Sequence, residues 1–163
     1  MRSPVDLTRL VLPSMQLRNS GSVILTSSRA ATASLPWTAS YNCSKTAITR
    51  FAGTLQAELD TVQKVEGHFD RNGIEFFSFH PGEIETDLHT TGFPECLKSD
   101  APYVLEHMAR VSANRPHFEP ELPAWTVVFL ASGRAAELKG QYVDATRDLG
   151  EVIAAAEKSH ISH

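Results

Sequence analysis

The sequence of 163 residues contains no Gly-x-Gly, and its two closest glycines, Gly67 and Gly73, stand six positions apart. That excludes a glycine-rich turn of the kind that lets backbone N–H groups close around an anion at a helix N-terminus. There are two cysteines, Cys43 and Cys96, too few for a disulfide scaffold and lacking metal-site spacing, so a reducing, cytoplasmic setting is the expectation. Seven histidines lie scattered at 68, 80, 89, 107, 117, 160 and 163, with no i, i+4 pair on which to build a metal site, and no metal is expected. No apolar run approaches the ~20 residues of a membrane span. Met1-Arg2-Ser3-Pro4 is not followed by the uninterrupted apolar segment of a signal peptide. A net charge of −4 without a lysine/arginine cluster offers no electrostatic case for nucleic acid or an anionic membrane.

What is present suits one globular domain, with 42% hydrophobic and 21% charged residues. Ser3-Pro4 followed by Asp6 reads as a helix start, Leu7, Leu10, Val11 and Leu17 as its apolar face, and Pro13 should bend or shorten it. After the turn Asn19-Ser20-Gly21, a buried strand is predicted over about 22–27, ending in Ser27-Ser28. A loop with Pro36 and Trp37 leads to a helix over about 40–65, whose apolar positions Ile48, Phe51, Ala52, Leu55, Leu59 and Val62 follow a 3.6-residue period. Asn72-Gly73 reads as a turn, 74–79 as a second strand and 141–144 as a third. Helical patterns at Tyr103–Val111, Leu122–Ser132 and Glu151–Lys158 complete an order α-β-α-β-α-α-β-α, which argues for a parallel α/β sheet. The expected division is an α/β domain over 1–148 and a helical tail over 149–163. Within the former, 83–120 reads as a mobile substrate loop or a plain surface connection. Trp37, Phe93, Tyr103 and Trp125 read as core or cover, with cavity lining as the alternative.

The chemistry concentrates at Tyr41-Asn42-Cys43-Ser44-Lys45, with Ser28 thirteen residues upstream at a strand end. A tyrosine and a lysine at i and i+4 share one helix face. The ammonium can stabilise a phenolate there, and a hydroxyl arriving from a strand end can share the same small volume. That is equipment for giving and taking a proton at a carbonyl or alcohol oxygen. A free tyrosine titrates near ~10, so such chemistry at neutrality needs about 3 pH units, or ~4 kcal/mol, of differential phenolate stabilisation. Ser28 also fits a turn or cap, with Ser27 its near competitor, and Thr86 fits a helix cap before Asp87-Leu88.

Together with Pro81-Gly82-Glu83-Ile84-Glu85-Thr86 after the second strand, this stretch resembles the short-chain dehydrogenase/reductase family, and the closing portion, Pro123 through Val143-Asp144-Ala145, looks most like its fungal members. The resemblance implies Tyr41 as general acid/base, Ser28 as the carbonyl-orienting hydroxyl and Lys45 as tyrosine activator and ribose ligand. With Tyr41 and Lys45, it assigns Pro81, Gly82 and Thr86 to the nicotinamide end of NAD or NADP. It also implies a small carbonyl or alcohol substrate, and a homo-oligomer formed through the helices at about 4–17 and 40–65. The family's glycine-rich first turn, adenine pocket and Asn-Ala-Gly strand would fall before Met1, and its catalytic asparagine has no counterpart, the first asparagine being Asn19. The expectation is therefore a truncated Rossmann-like fold whose first strand presents an open edge. Three functions follow: NAD(P)-linked hydride transfer, cofactor-independent isomerisation, dehydration or cyclisation by the Ser-Tyr-Lys set, or a catalytically inactive interaction module.

Overall fold

Phe76, Phe77 and Phe79 are buried together on one strand, and their alternation decides what covers each face of the sheet. The computed structural model describes residues 2–66, 73–86, 98 and 100–161. Strands β1 (Gly21–Thr26), β2 (Ile74–His80) and β3 (Tyr142–Asp144) form a single parallel sheet in the order β1-β2-β3. Phe77 and Phe79 face one side with Val143, where Leu130 of α4 (Glu121–Ala131), Leu138, and Leu149, Val152 and Ile153 of α5 (Leu149–Ile161) cover them. Ile74 and Phe76 face the other side, under Ala52, Leu55 and Leu59 of α2 (Ala39–Glu66) and Leu12 and Met15 of α1 (Arg2–Arg18). The fold is thus the expected α/β one, with each strand placed within a residue of its predicted ends. Among the described strands β1 lies at the sheet edge. No helix of the described residues is long and apolar enough to cross a membrane.

Three expectations give way to tertiary geometry. Helix α1 runs through Pro13 to Arg18, so the proline does not shorten it and the helix spans the expected 4–17. Its inward stripe is Thr8, Leu12 and Met15 (i, i+4, i+7), whereas Leu7, Leu10, Val11 and Leu17 are exposed. The sheet thus takes a stripe rotated from the most apolar one by about one residue, ~100° around the axis. In α2, Ile48 and Ala52 are buried, but Val62 lies half exposed. The helix's 28 residues extend ~42 Å, and the seven of β2 only ~23 Å, so the last turns overshoot the strand they cover. Trp37, Tyr103 and Trp125 are all exposed, so the core half of the core-or-cover expectation fails for them, while Phe93 lies outside the described residues. The 83–120 region is described at 83–86, 98 and 100–120, and holds α3 (Pro102–Ala113).

A buried glutamine joins α2 to the sheet where the ladder runs out. β3 pairs with β2 only at Ser78–His80, so among the described strands Phe76 has no neighbour on that side. Gln56, 2% exposed, fills the gap, its Oε1 accepting from the Phe76 N–H at 2.8 Å, while Gly140 N–H donates to the Phe76 carbonyl at 2.7 Å. Gln56 Nε2 donates to Asp60 Oδ1 at 3.0 Å, and Lys139 Nζ lies 3.2 Å from the same carboxylate oxygen. The close approach needs Gly53, where an added Cβ would sit 3.0 Å from the Gly140 carbonyl oxygen.

Candidate active site

Ligand sites of open parallel sheets lie beyond the C-terminal ends of the strands, and there the candidate residues gather. Beyond β1 the chain turns sharply at Ser28, whose hydroxyl accepts from the Ala30 N–H at 3.2 Å and caps the 3-10 turn Arg29–Ala31. The turn role is therefore real. It uses only an acceptor lone pair, so the hydroxyl proton still has the capacity to donate to a substrate oxygen. Ser27 is buried and committed: its Oγ lies 2.6 Å from Thr49 Oγ1 and donates to the Lys45 carbonyl at 3.4 Å, tying the strand end to α2.

Tyr41 occupies the first turn of α2, where the positive helix end favours developing negative charge. It is 46% exposed. Lys45 Nζ lies 5.6 Å from the Tyr41 ring centroid and donates to the Thr26 carbonyl at 3.0 Å. One ammonium thus links the tyrosine ring to the strand end two residues before Ser28. The loop before the helix is fixed by Asn42, whose amide is best oriented with Oδ1 accepting from Leu35 N–H at 3.0 Å and Nδ2 donating to Thr38 Oγ1 at 2.7 Å. Between these anchors Trp37 adopts φ +59°, a left-handed conformation costing a non-glycine residue about 1–2 kcal/mol.

Thr26 pairs with Phe79 at the ends of β1 and β2, and the chain leaves these neighbouring strand ends toward Ser28 and Pro81, two residues beyond each partner. Gly82 is buried at φ +96°, and a Cβ there would meet Phe118 at 3.1 Å and Thr146 at 3.2 Å. A strap from α3 holds this turn: Phe118 N–H donates to the Glu83 carbonyl at 2.9 Å, and Arg115 Nη1 donates to Glu83 Oε1 at 2.8 Å. Arg29 approaches the same carboxylate at 3.7 Å. Thr86 is exposed, and among the described residues no hydrogen bond joins it to Ser28, Tyr41 or Lys45. The helix it was expected to cap falls at 87–88, outside the described residues.

Two features have no local sequence signature. His80, the residue before Pro81, is buried, and among the described residues neither of its ring nitrogens has a hydrogen-bond partner, nor does the buried Ser78 Oγ two residues earlier. Burial holds the His80 imidazole below its usual pKa; Asp144 and Glu83 pull it up, Arg29 and Arg115 push it down, and desolvation decides. Burial pushes the Tyr142 phenol up to about 12, with the nearby Asp144 charge adding to it. The second feature is aromatic. Trp37 makes T-shaped contacts with Tyr103 and His107 of α3, at centroid distances of 6.1 and 5.0 Å.

The family model described as short chain dehydrogenase matches residues 1–96. A short chain dehydrogenase of Pseudocercospora fijiensis is 35% identical over 159 residues, covering 97% of this chain and 48% of the relative. Among solved structures, the KRED1-Pglu enzyme aligns with a TM-score of 0.67 at 28% identity, over 88% of this chain and 55% of that one. A 3-oxoacyl-[acyl-carrier protein] reductase from Brucella melitensis, solved with bound NAD, aligns with a TM-score of 0.59 at 24% identity, over 86% and 45%. That likeness shows the fold alone. The chain spans about half the length of the curated relatives it matches. A parallel sheet with a Ser-Tyr-Lys set at its C-terminal edge, and a family model that matches across that set, lead to one assignment: this chain belongs to the short-chain dehydrogenase family.

Proposed function

We propose that this chain serves an oxidoreductase that interconverts a carbonyl and an alcohol with NAD or NADP, Tyr41 being the general acid/base. The observation that carries the reading is Lys45, placed 5.6 Å from the Tyr41 ring centroid and bonded to the end of the strand that leads into Ser28. In the reduction direction Ser28 donates a hydrogen bond to the substrate oxygen, Tyr41 gives that oxygen its proton, and the Lys45 ammonium stabilises the phenolate left behind. The Asn42 anchors keep the start of α2 in place while the proton moves.

The residues present fit one end of the cofactor. Tyr41 and Lys45 offer a hydroxyl and an ammonium suited to a ribose, and the Pro81-Gly82 turn follows the strand paired with the one that leads into Ser28, its backbone held through Glu83 and Phe118. These residues, with Thr86, would hold the nicotinamide end. No Gly-x-Gly is present for the pyrophosphate end. When bound, the cofactor supplies or accepts the hydride. Turnover of a ketone panel tests the reading: Tyr41→Phe should abolish it and Ser28→Ala should lower it at least ~100-fold, whereas a Tyr41→Phe enzyme at full rate overturns it.

A homo-oligomer is the accompanying reading, favoured by the exposure of Leu7, Leu10 and Leu17 on α1 and Val62 and Val65 on α2. Sedimentation at micromolar concentration should show a species larger than 17.9 kDa; a monomer throughout contradicts it.

A further inference from the structure

We propose that Trp37, Tyr103 and His107 form an aromatic platform at the rim of the Tyr41 site, and that it seats a planar ring of the substrate. The substrates would then be aryl ketones and the matching benzylic alcohols in preference to alicyclic ones. The proposal rests on the carbonyl/alcohol reading above and narrows it.

Folding alone gives little reason for this arrangement. Trp37 sits in a left-handed backbone conformation yet remains 54% exposed, so its strain is not offset by a buried indole. Tyr103 is 60% exposed. Both T-shaped contacts leave much aromatic surface facing solvent. The platform is also tied to the catalytic helix. Trp37 precedes Thr38, whose carbonyl accepts from the Asn42 N–H at 2.8 Å, and Asn42 adjoins Tyr41. The opposite side of the cluster comes from α3, whose following strap holds the Pro81-Gly82 turn through Arg115 and Phe118. An aromatic surface joined through Thr38 to the helix that carries Tyr41, and through α3 to the strap over the Pro81-Gly82 turn, suits a flat ring carrying a carbonyl. An aliphatic ring of equal volume presents no π-face to it.

The chain has two tryptophans, so Trp125→Phe leaves Trp37 as the sole indole. This variant is titrated with 1-tetralone and with its saturated counterpart 1-decalone, reading indole fluorescence and, separately, calorimetric heat. Saturable quenching by tetralone, with a Kd at least about fivefold below that of decalone, is the expected result. Tyr103→Leu should weaken tetralone binding about 3- to 10-fold with the decalone Kd unchanged, and Tyr103→Phe should restore it. Equal Kd values for the two ketones, or no saturable quenching by tetralone, overturn the platform. Equal loss of both ketones in Tyr103→Leu reports a merely structural clamp and overturns it too. These readouts need no turnover. Selective binding without hydride transfer leaves the platform standing and removes the oxidoreductase reading, while equal turnover of both ketones does the reverse.

Discussion

Replacing Gln56 by leucine should destabilise the protein far more than a single polar-to-apolar change in a helix normally does. The side chain is 2% exposed, and its Oε1 is the acceptor for the Phe76 N–H at 2.8 Å. Phe76 is itself wholly buried, on a stretch of β2 that β3 does not reach. Leucine fills a similar volume but leaves that N–H buried and unpaired, which costs about 1–3 kcal/mol. The lost amide also abandons Asp60, although Lys139 remains on that carboxylate at 3.2 Å. In a domain of this size each kcal/mol moves Tm by about 2–4 °C, so the expected fall is roughly 2–12 °C. Gln56→Glu keeps an acceptor but sets a second carboxylate beside Asp60, and should fall less at pH 5 than at pH 8. Calorimetric melting of the three proteins is the assay. A Gln56→Leu protein melting with or above the parent would refute the view that this side chain completes the ladder.

Lys45→Met should slow turnover by an amount that reports the local dielectric. At 5.6 Å from the ring centroid, a unit charge is worth about 0.7 kcal/mol in bulk water and about 3 kcal/mol at an effective dielectric of 20. Those values correspond to losses of about threefold and about 150-fold; an unchanged kcat removes the lysine from the chemistry. His80 predicts an acid-side loss of stability. Its folded pKa is depressed, so its contribution is present above about 6.5 and is lost as pH falls through the lower folded value. His80→Leu should flatten the melting temperature between pH 7 and 5, and an unaltered slope contradicts the desolvation argument. At the alkaline end, Tyr142, pushed up to about 12, favours the neutral phenol in the fold. Its stabilisation is present below pH 10 and lost on approach to 12, so Tyr142→Phe should hold its melting temperature better above pH 10.

The sheet and helices were legible because their signals are local. Ile74–Phe79 is a short apolar run closed by turn residues, and Ile48, Ala52 and Leu55 repeat at the helical period. The proximity of Tyr41 and Lys45 was legible too, since i and i+4 must meet on any helix. What escaped depends on partners distant in sequence. Nothing near Leu7 or Leu10 reveals that the sheet selects the stripe through Thr8 and Leu12. Gln56 reads as an ordinary helix surface residue until Phe76 arrives twenty positions later. Glu83 reveals its tie to Arg115, thirty-two residues on, only once the segment after α3 has returned to the Pro81-Gly82 turn. The Trp37–Tyr103–His107 cluster likewise joins a loop to a helix more than sixty residues on. Its exposure was the least foreseeable feature, because large aromatics usually enter a core.

The central claim, that the Ser28-Tyr41-Lys45 set serves NAD(P)-linked hydride transfer, is tested most directly by titrating the purified chain with NADH and with NADPH. The readout is nicotinamide fluorescence, in the parent and in Lys45→Met. Saturable enhancement with one of the two, weakened by the substitution, is the predicted result. No binding of either at millimolar concentration would contradict it.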